Sequence, residues 1–549
     1  MYASRRRHME HNWVGCIISF IVCLVILGIA FYAFKIPFNI HSHGFWAFTI
    51  IGLGATALIS LAIAEAPEYE YPITSIAAIV VAAFLVLWLI LSIFSSKMVC
   101  ANIYKNIAQV DTEGVFEDDV PEIKDWNDIP VIDKITAEAL GDRGSMGNME
   151  EYLSQYEVSN EYNLIAYKGG YYRVSPLMYG SFFKYMNSKE VGIPAYVLVD
   201  VYTGEVELVE LENGQTIRYA PSACFGENLT RHIRKKYPTA ILGEANFEIN
   251  DEGTPYYIVS ILKGNAGVFG APTIDKVLLV NAVTGEIAEH TIDDVPDWVD
   301  NVYDVTRIME EIDWKYSLIN GYFNFSQKQV RKTSYSFDKN QYYAIPMNGH
   351  VYIYTGVTSA GADESNIGFL LINMRNGEST YYSDPGAEES SAQESAKGVV
   401  QQFNYAAGPA MLVNINGEQT YFLTLKDNQN LIRMYALVNK TNYALVVVED
   451  SIEKAVDVYC EKLNLEENEP AIEAPIEEKT ATGVVTSVYE VTVDGNTMFI
   501  FYLEGKDKLF VSAISNSYEQ PAKLVTSAKV TISYTVVDGT NVVNEISFN

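Results

Sequence analysis

Three apolar runs dominate the start of the chain: Trp13–Phe34, Phe45–Ala64 and Ile73–Phe94. None contains Asp, Glu, Lys or Arg. A bilayer crossing takes about 20 apolar residues, so the pattern predicts a transmembrane anchor of three helices over residues 13–96. The first run exceeds the 7–15 residues of a signal-peptide core and is read as a retained helix. Ahead of it, residues 1–12 carry Arg5, Arg6 and Arg7. Positive residues stay cytoplasmic, so the amino terminus is expected inside and the carboxy-terminal bulk outside.

After the third run the pattern changes. Residues 97–150 are mixed polar with acidic clusters and read as a stalk. From residue 151 a short motif recurs: Tyr196-Val-Leu-Val-Asp200-Val-Tyr-Thr-Gly204-Glu205, Val277-Leu-Leu-Val-Asn281-Ala-Val-Thr-Gly285-Glu286 and Phe369-Leu-Leu-Ile-Asn373-Met-Arg-Asn-Gly377-Glu378. A weaker copy, Met434–Asn442, lacks the glycine. An apolar run predicts a buried strand. Asp or Asn then opens a turn through side-chain-to-backbone hydrogen bonds, and Gly supplies the positive φ from which a second strand returns. These residues therefore predict turn geometry, not catalysis. Residues 301–340 read as a helical connection, Ser451–Leu463 as a closing helix, and 464–482 as an acidic linker. The tail, 483–549, carries five strand-like runs. These fit a five-stranded OB-like β-barrel, with an SH3-like barrel as rival.

Asn228–Tyr237 (helix), the hairpin across Asp251–Thr254 and the repeat hairpin follow one another, and Ser391–Phe403, Ala410–Leu425 and Ile432–Val448 repeat the order. Helix, hairpin, hairpin with Asp/Asn-x-x-Thr-Gly-Glu at the last turn resembles the PepSY module. The resemblance implies tandem α+β units: two over residues 151–300 and a third, with a degenerate repeat and the closing helix, over 341–463. Trp298–Tyr303, Val330–Ser334 and Tyr354–Gly361 leading into Asp363–Asn366 further resemble an uncharacterised family of bacterial membrane proteins. That resemblance implies an envelope location and no established activity. The fold class expected is thus an α-helical membrane anchor, an α+β ectodomain of PepSY-like units and the terminal barrel.

The formal net charge of −31 repels phosphate backbones and argues against nucleic acid. Cys224 and Cys460 are the two cysteines of the polar region, and whether they pair is left open. No Cys/His cluster suggests zinc, and no cofactor or metal is expected. The motifs of serine hydrolases, zinc proteases and phosphate loops are missing. Two groups stand above background. Arg231, His232, Arg234, Lys235 and Lys236 lie on the helix before Pro238, a basic cluster able to hold an anion or an acidic partner. Tyr354, Thr355, Ser359, Asp363, Glu364 and Asn366 lie in a Gly/Ser/Thr/Asp-rich segment read as a binding loop. The expected function is a non-enzymatic envelope protein, bound to the lipid bilayer, that binds or scaffolds a protein or wall polymer. The alternatives are a regulator or inhibitor of an envelope protease, a hydrolase using Asp363 and Glu364, and a subunit of an ordered surface assembly in which hairpin edges pair between chains.

Overall fold

The computed structural model describes residues 21–63, 72–112, 114–148, 155–325, 327, 329–334, 343–360, 365–468, 479–493, 496–506, 508–513, 524–537 and 540–548. It divides into two compact units, Met1–Lys462 and Leu463–Asn549.

The expected combination of three transmembrane helices and PepSY-like α+β units is not what the chain forms, whereas the five-stranded barrel expected in the tail is present. Strands occupy 38% of the described residues. Among the described residues one helix, Ala78–Tyr104, is long and apolar enough to cross a membrane. The first apolar run is described as helix only over Ile21–Phe34 (α1), short of a span, and its earlier residues lie outside the described set. The second run is helical as α2 (His43–Ile63), and the third as α3 (Pro72–Phe94), followed by α4 (Lys97–Tyr104).

In the polar region the apolar alternation runs into long ladders instead of compact helix-and-hairpin units. The first sheet holds β1 (Tyr156–Val158), β2 (Asn163–Tyr167), β3 (Gly170–Tyr179), β4 (Ala195–Asp200) and β5 (Val206–Glu210), in the order β1-β3-β4-β5 with β2 also on β3. The second holds β6 (Ile241–Ile249), β7 (Pro255–Ala266), β8 (Gly270–Asn281) and β9 (Ile287–His290), ordered β9-β8-β7-β6. Gly264–Ala271, which looks like an insert in the sequence, is the far end of the β7–β8 ladder, paired as far as Ala266 and Gly270.

The third sheet contains β10 (Arg331–Thr333), β11 (Tyr343–Met347), β12 (His350–Ser359), β13 (Ser365–Asn373), β14 (Ser379–Tyr382) and β15 (Gly386–Ala387). The segment Val110–Asp111 joins β14 in parallel. The fourth contains β16 (Ala406–Ala407), β17 (Met411–Ile415), β18 (Glu418–Lys426), β19 (Ile432–Asn439) and β20 (Val446–Glu449). Helices are few beside these sheets: α5 (Lys134–Asn148), α6 (Phe182–Ser188), α7 (Leu229–Lys236), α8 (Val305–Ser317), α9 (Glu389–Val399) and α10 (Ile452–Asn468). Within the expected helical connection 301–340, Arg331–Thr333 is strand.

The recurrent motif has one geometry. Asp200 Oδ1 accepts the amides of Tyr202 (2.9 Å) and Thr203 (2.8 Å). Asn281 Oδ1 does the same for Val283 and Thr284, both at 2.9 Å, and Asn373 Oδ1 for Arg375 at 2.9 Å. The glycine amide then donates back to the carbonyl of that Asp or Asn, at 3.0, 2.9 and 2.9 Å. The turn is therefore a local consequence of the Asp/Asn side chain and the positive φ of Gly204, Gly285 and Gly377. In the glycine-less copy, Asn439 Oδ1 still accepts Thr441 and Asn442, and the turn widens so that the Asn439 amide reaches Leu445.

Residues expected as a stalk are built into the first unit. Ile129, Val131, Ile132 and Ala137 are buried, and Tyr343 donates its hydroxyl to the Pro130 carbonyl at 2.6 Å. The closing helix α10 buries Val456 and Tyr459. The Tyr459 hydroxyl is sealed inside against Thr420 Oγ1 (2.8 Å) and Asn439 Nδ2 (3.2 Å).

The second unit is a closed barrel of β21 (Lys479–Val493), β22 (Asn496–Leu503), β23 (Phe510–Ala513), β24 (Lys529–Val537) and β25 (Thr540–Phe548). Its order is β21-β22-β23-β25-β24, with β23 and β25 parallel. Phe501, Val530 and Ile532 fill the interior.

Candidate functional site

The polar centre of the first unit forms where its first three sheets approach one another. Asn163 Nδ2 on β2 donates to the Phe247 carbonyl on β6 at 3.1 Å. Asn246 Nδ2, beside Phe247, donates to the Asn301 carbonyl at 2.8 Å. Asn301 Nδ2 closes the ring on the Leu164 carbonyl at 2.8 Å. Three side-chain amides thus join three chain segments through backbone carbonyls, which buried polar atoms require.

Behind this ring lie two carboxylates. Glu248 accepts the amides of Asp300 (2.9 Å) and Asn301 (2.7 Å), and Asp300 Oδ2 accepts the Ala166 amide at 2.6 Å. Both side chains are buried, and Asp300 Oδ1 has no hydrogen-bond partner. Burial pushes Glu248 up to about 7, against the pull of its backbone donors and Arg375. Burial and the neighbouring Glu248 raise Asp300 well above the usual carboxylate range. Two desolvated carboxyls this close do not both ionise at neutral pH.

In front of the ring a cavity of about 550 Å³ opens between the three sheets, α7 and the start of α8. Its polar lining includes Lys134, Glu161 and Glu244 together with the three asparagines. Ile233, Leu242, Val259 and Ile353 give it an apolar floor. Burial raises the Glu161 carboxyl; Lys134 opposes this and Glu244 adds to it. Arg173 braces the wall by donating to the carbonyls of Ile132 (3.1 Å) and Tyr162 (3.2 Å). No group of three or more His, Cys, Asp or Glu among the described residues has the spacing to hold a metal ion.

The residues singled out from sequence fall elsewhere. Tyr354, Thr355 and Asn366 are not on a loop but buried in β12 and β13. Ser359 ends β12, while Asp363 and Glu364 lie outside the described residues. Tyr354 and Tyr421 share a 3.0 Å hydroxyl contact. Asn366 Nδ2 donates to Glu389 Oε2 at 3.1 Å. Nearby, Lys440 is fully buried, with Nζ donating to the Asp384 carbonyl (2.8 Å) and Gln419 Oε1 (2.7 Å). Burial pushes its ammonium down to about 8. This network is saturated by internal partners and serves to join the third and fourth sheets.

The basic cluster is on α7, capped by Asn228, whose Oδ1 accepts the Arg231 amide at 3.3 Å. The five side chains do not converge on one point. His232 Nε2 donates to the Gly285 carbonyl at 2.6 Å, inside the second repeat turn. Arg231 and Arg234 reach the end of α1: Arg231 Nε donates to the Tyr32 carbonyl (3.3 Å) and Arg234 Nε to the Lys35 carbonyl (2.5 Å). Lys236 donates to the Ile287 carbonyl at 3.1 Å, and Lys235 is exposed. The described cysteines, Cys224 and Cys460 among them, are free thiols.

Sequence reasoning missed Lys134, Glu161, Glu244 and the asparagine ring, because they are brought together from positions as far apart as 134 and 301. One signal was available. Asp300 and Asn301 sit between Val299 and Val302, a polar pair inside an apolar stretch. No protein-family model matches the chain, and no curated protein matches it.

Proposed function

We propose that the chain is a membrane-attached, extracytoplasmic binding module, and that the three-sheet cavity takes its ligand. The lining of the cavity carries this reading. Lys134, Glu161 and Glu244 line the cavity together with the apolar Ile233, Leu242, Val259 and Ile353. A preformed pocket with a few placed polar groups is what recognition of a small ligand or chain segment needs. Opposite charges suit a ligand bearing both an ammonium and a carboxylate, as a peptide or the peptide part of a wall polymer does. The asparagines and Arg173 are committed to backbone carbonyls, so the wall is a rigid recognition surface.

Attachment rests on the apolar helix Ala78–Tyr104. Arg5, Arg6 and Arg7 favour a cytoplasmic amino terminus, which puts the polar units on the outer face. Calorimetric titration of the full chain in detergent with peptides and wall-derived muropeptides tests the cavity. Glu161→Gln and Lys134→Met are each expected to weaken binding at least about tenfold, the loss of one charge-assisted hydrogen bond. Absence of binding by either ligand class, or turnover of them at enzymatic rates, would overturn the reading.

A further inference from the structure

The basic helix and a patch of exposed rings occupy one edge of the first unit, next to the end of α1. Phe182, Phe183 and Phe225 are 51%, 77% and 51% exposed. Phe182 touches both neighbours, with ring centroids 5.8 and 6.2 Å apart. α6 is tied to this place by Tyr185, whose hydroxyl donates to Glu227 at 2.8 Å. Soluble surfaces seldom cluster large apolar side chains in this way without a use for them.

The height of the patch is set by its neighbours. Arg231 donates to the Tyr32 carbonyl near the end of α1 and stacks over the Tyr32 ring at 4.5 Å. Lys35, the next residue after that helix, accepts a hydrogen bond on its carbonyl from Arg234 Nε at 2.5 Å. α1 exposes Leu24, Val25, Ile29 and Phe34, as a helix in lipid does and a helix in a soluble core does not. Where such a helix ends, the headgroup layer begins. Aromatic rings and cations belong at that level.

We propose that Phe182, Phe183, Phe225, Arg231, Lys235 and Lys236 form a footing on the bilayer, with rings at the boundary of headgroups and acyl chains and cations on anionic phosphates. This rests on the attachment reading above. The net charge of −31 sharpens the effect: an anionic membrane repels most of the surface and attracts this edge, so the footing orients the cavity relative to the membrane.

The test uses the full chain in lipid nanodiscs. Phe183→Trp adds one fluorophore at an exposed position. Its added emission, relative to the unmodified protein, is expected to be quenched by lipids brominated near the headgroup. Lys235→Glu with Lys236→Glu is expected to lower the preference for phosphatidylglycerol over phosphatidylcholine by at least about fivefold, from about 1 kcal/mol per cation at the surface. Unquenched emission or an unchanged lipid preference overturns the footing and leaves the patch to a protein partner. Carbonate extraction of membranes containing the full chain separates the two readings. Release of the protein sinks attachment itself, whereas retention with unquenched emission sinks the footing alone.

Discussion

Asp133 and Lys426, 293 residues apart in the chain, form an ion pair almost wholly sealed from solvent. Asp133 Oδ1 also accepts the Thr136 amide at 2.8 Å, at the start of α5. Burial alone would raise this carboxyl, but the charge and hydrogen bond of Lys426 hold it below its usual value of 3.8. The pair therefore locks the segment before α5 onto the fourth sheet. Removing one partner leaves the other charge buried and uncompensated, which costs about 3–5 kcal/mol. Lys426→Met is expected to lower the unfolding midpoint of the full chain in detergent strongly. Joining it with Asp133→Leu should recover most of the loss. A depressed carboxyl contributes stability above its unfolded value, and that stability is lost as pH falls through the folded value. The unmodified protein should thus lose an increment below about pH 3.8 that the double variant does not.

The carboxyl pair at the cavity works in the opposite sense. Glu248 is raised from 4.5 to about 7 in the folded chain, so the folded state holds a proton that the unfolded state releases. Its favourable contribution is complete below about pH 4.5 and fades as pH rises towards 7. The loss is on the order of 3 kcal/mol. Asp300→Asn removes one of the two coupled groups and gives the unpartnered Oδ1 position a donor. The variant should match the unmodified protein in acid, exceed it in alkali and show a flatter stability profile between these limits. Parallel profiles would mean that the two carboxyls do not act on each other.

The repeat turns allow a graded comparison. Gly204 and Gly377 have φ of 72° and 77°, so alanine at either meets the same backbone penalty of about 1–2 kcal/mol. Their surroundings differ. A methyl group at Gly204 would meet flexible Ile132 and Leu140 side-chain ends at 3.2 Å, whereas at Gly377 it would press on the Tyr303 ring at 2.8 Å. Gly377→Ala should destabilise the chain more than Gly204→Ala in thermal unfolding. Equal losses would show that backbone conformation alone sets the cost.

These turns were legible in the sequence because everything that makes them lies within six residues. The apolar runs were legible as helices for the same reason. The number of spans was not, because run length says nothing of what a helix packs against. The units of the polar region misread for a physical reason too. Strand alternation continues through Gly264–Ala271 without marking that the β7–β8 ladder is being extended. The cavity was invisible because Lys134, Glu161, Asn246 and Asn301 share no local pattern. Tyr354, Thr355 and Asn366 looked like a loop from their composition, yet polar side chains in a buried strand are tolerated wherever partners such as Tyr421 and Glu389 await them.

Ser95, between α3 and α4, fastens the second sheet to the apolar helices. Its hydroxyl donates to the Leu91 carbonyl at 2.7 Å and accepts the amides of Val268 (2.8 Å) and Phe269 (3.1 Å) at the tip of the β7–β8 ladder. The Phe269 ring then stacks on His43 at the start of α2, with centroids 4.2 Å apart. Ser95→Ala removes the hydroxyl that accepts these two amides while leaving the helix backbone intact. Leaving these part-buried donors unsatisfied costs up to about 1 kcal/mol each, less than for fully buried groups. That penalty should appear locally, as faster hydrogen exchange at residues 267–270 in nanodiscs, with the β6–β7 ladder near Asn250 unchanged. Cys at position 95 provides a control, since a thiol accepts hydrogen bonds weakly and should restore only part of the protection. Unaltered exchange at the tip in Ser95→Ala would show that the stacking of Phe269 on His43, not the hydroxyl, holds the ladder in place.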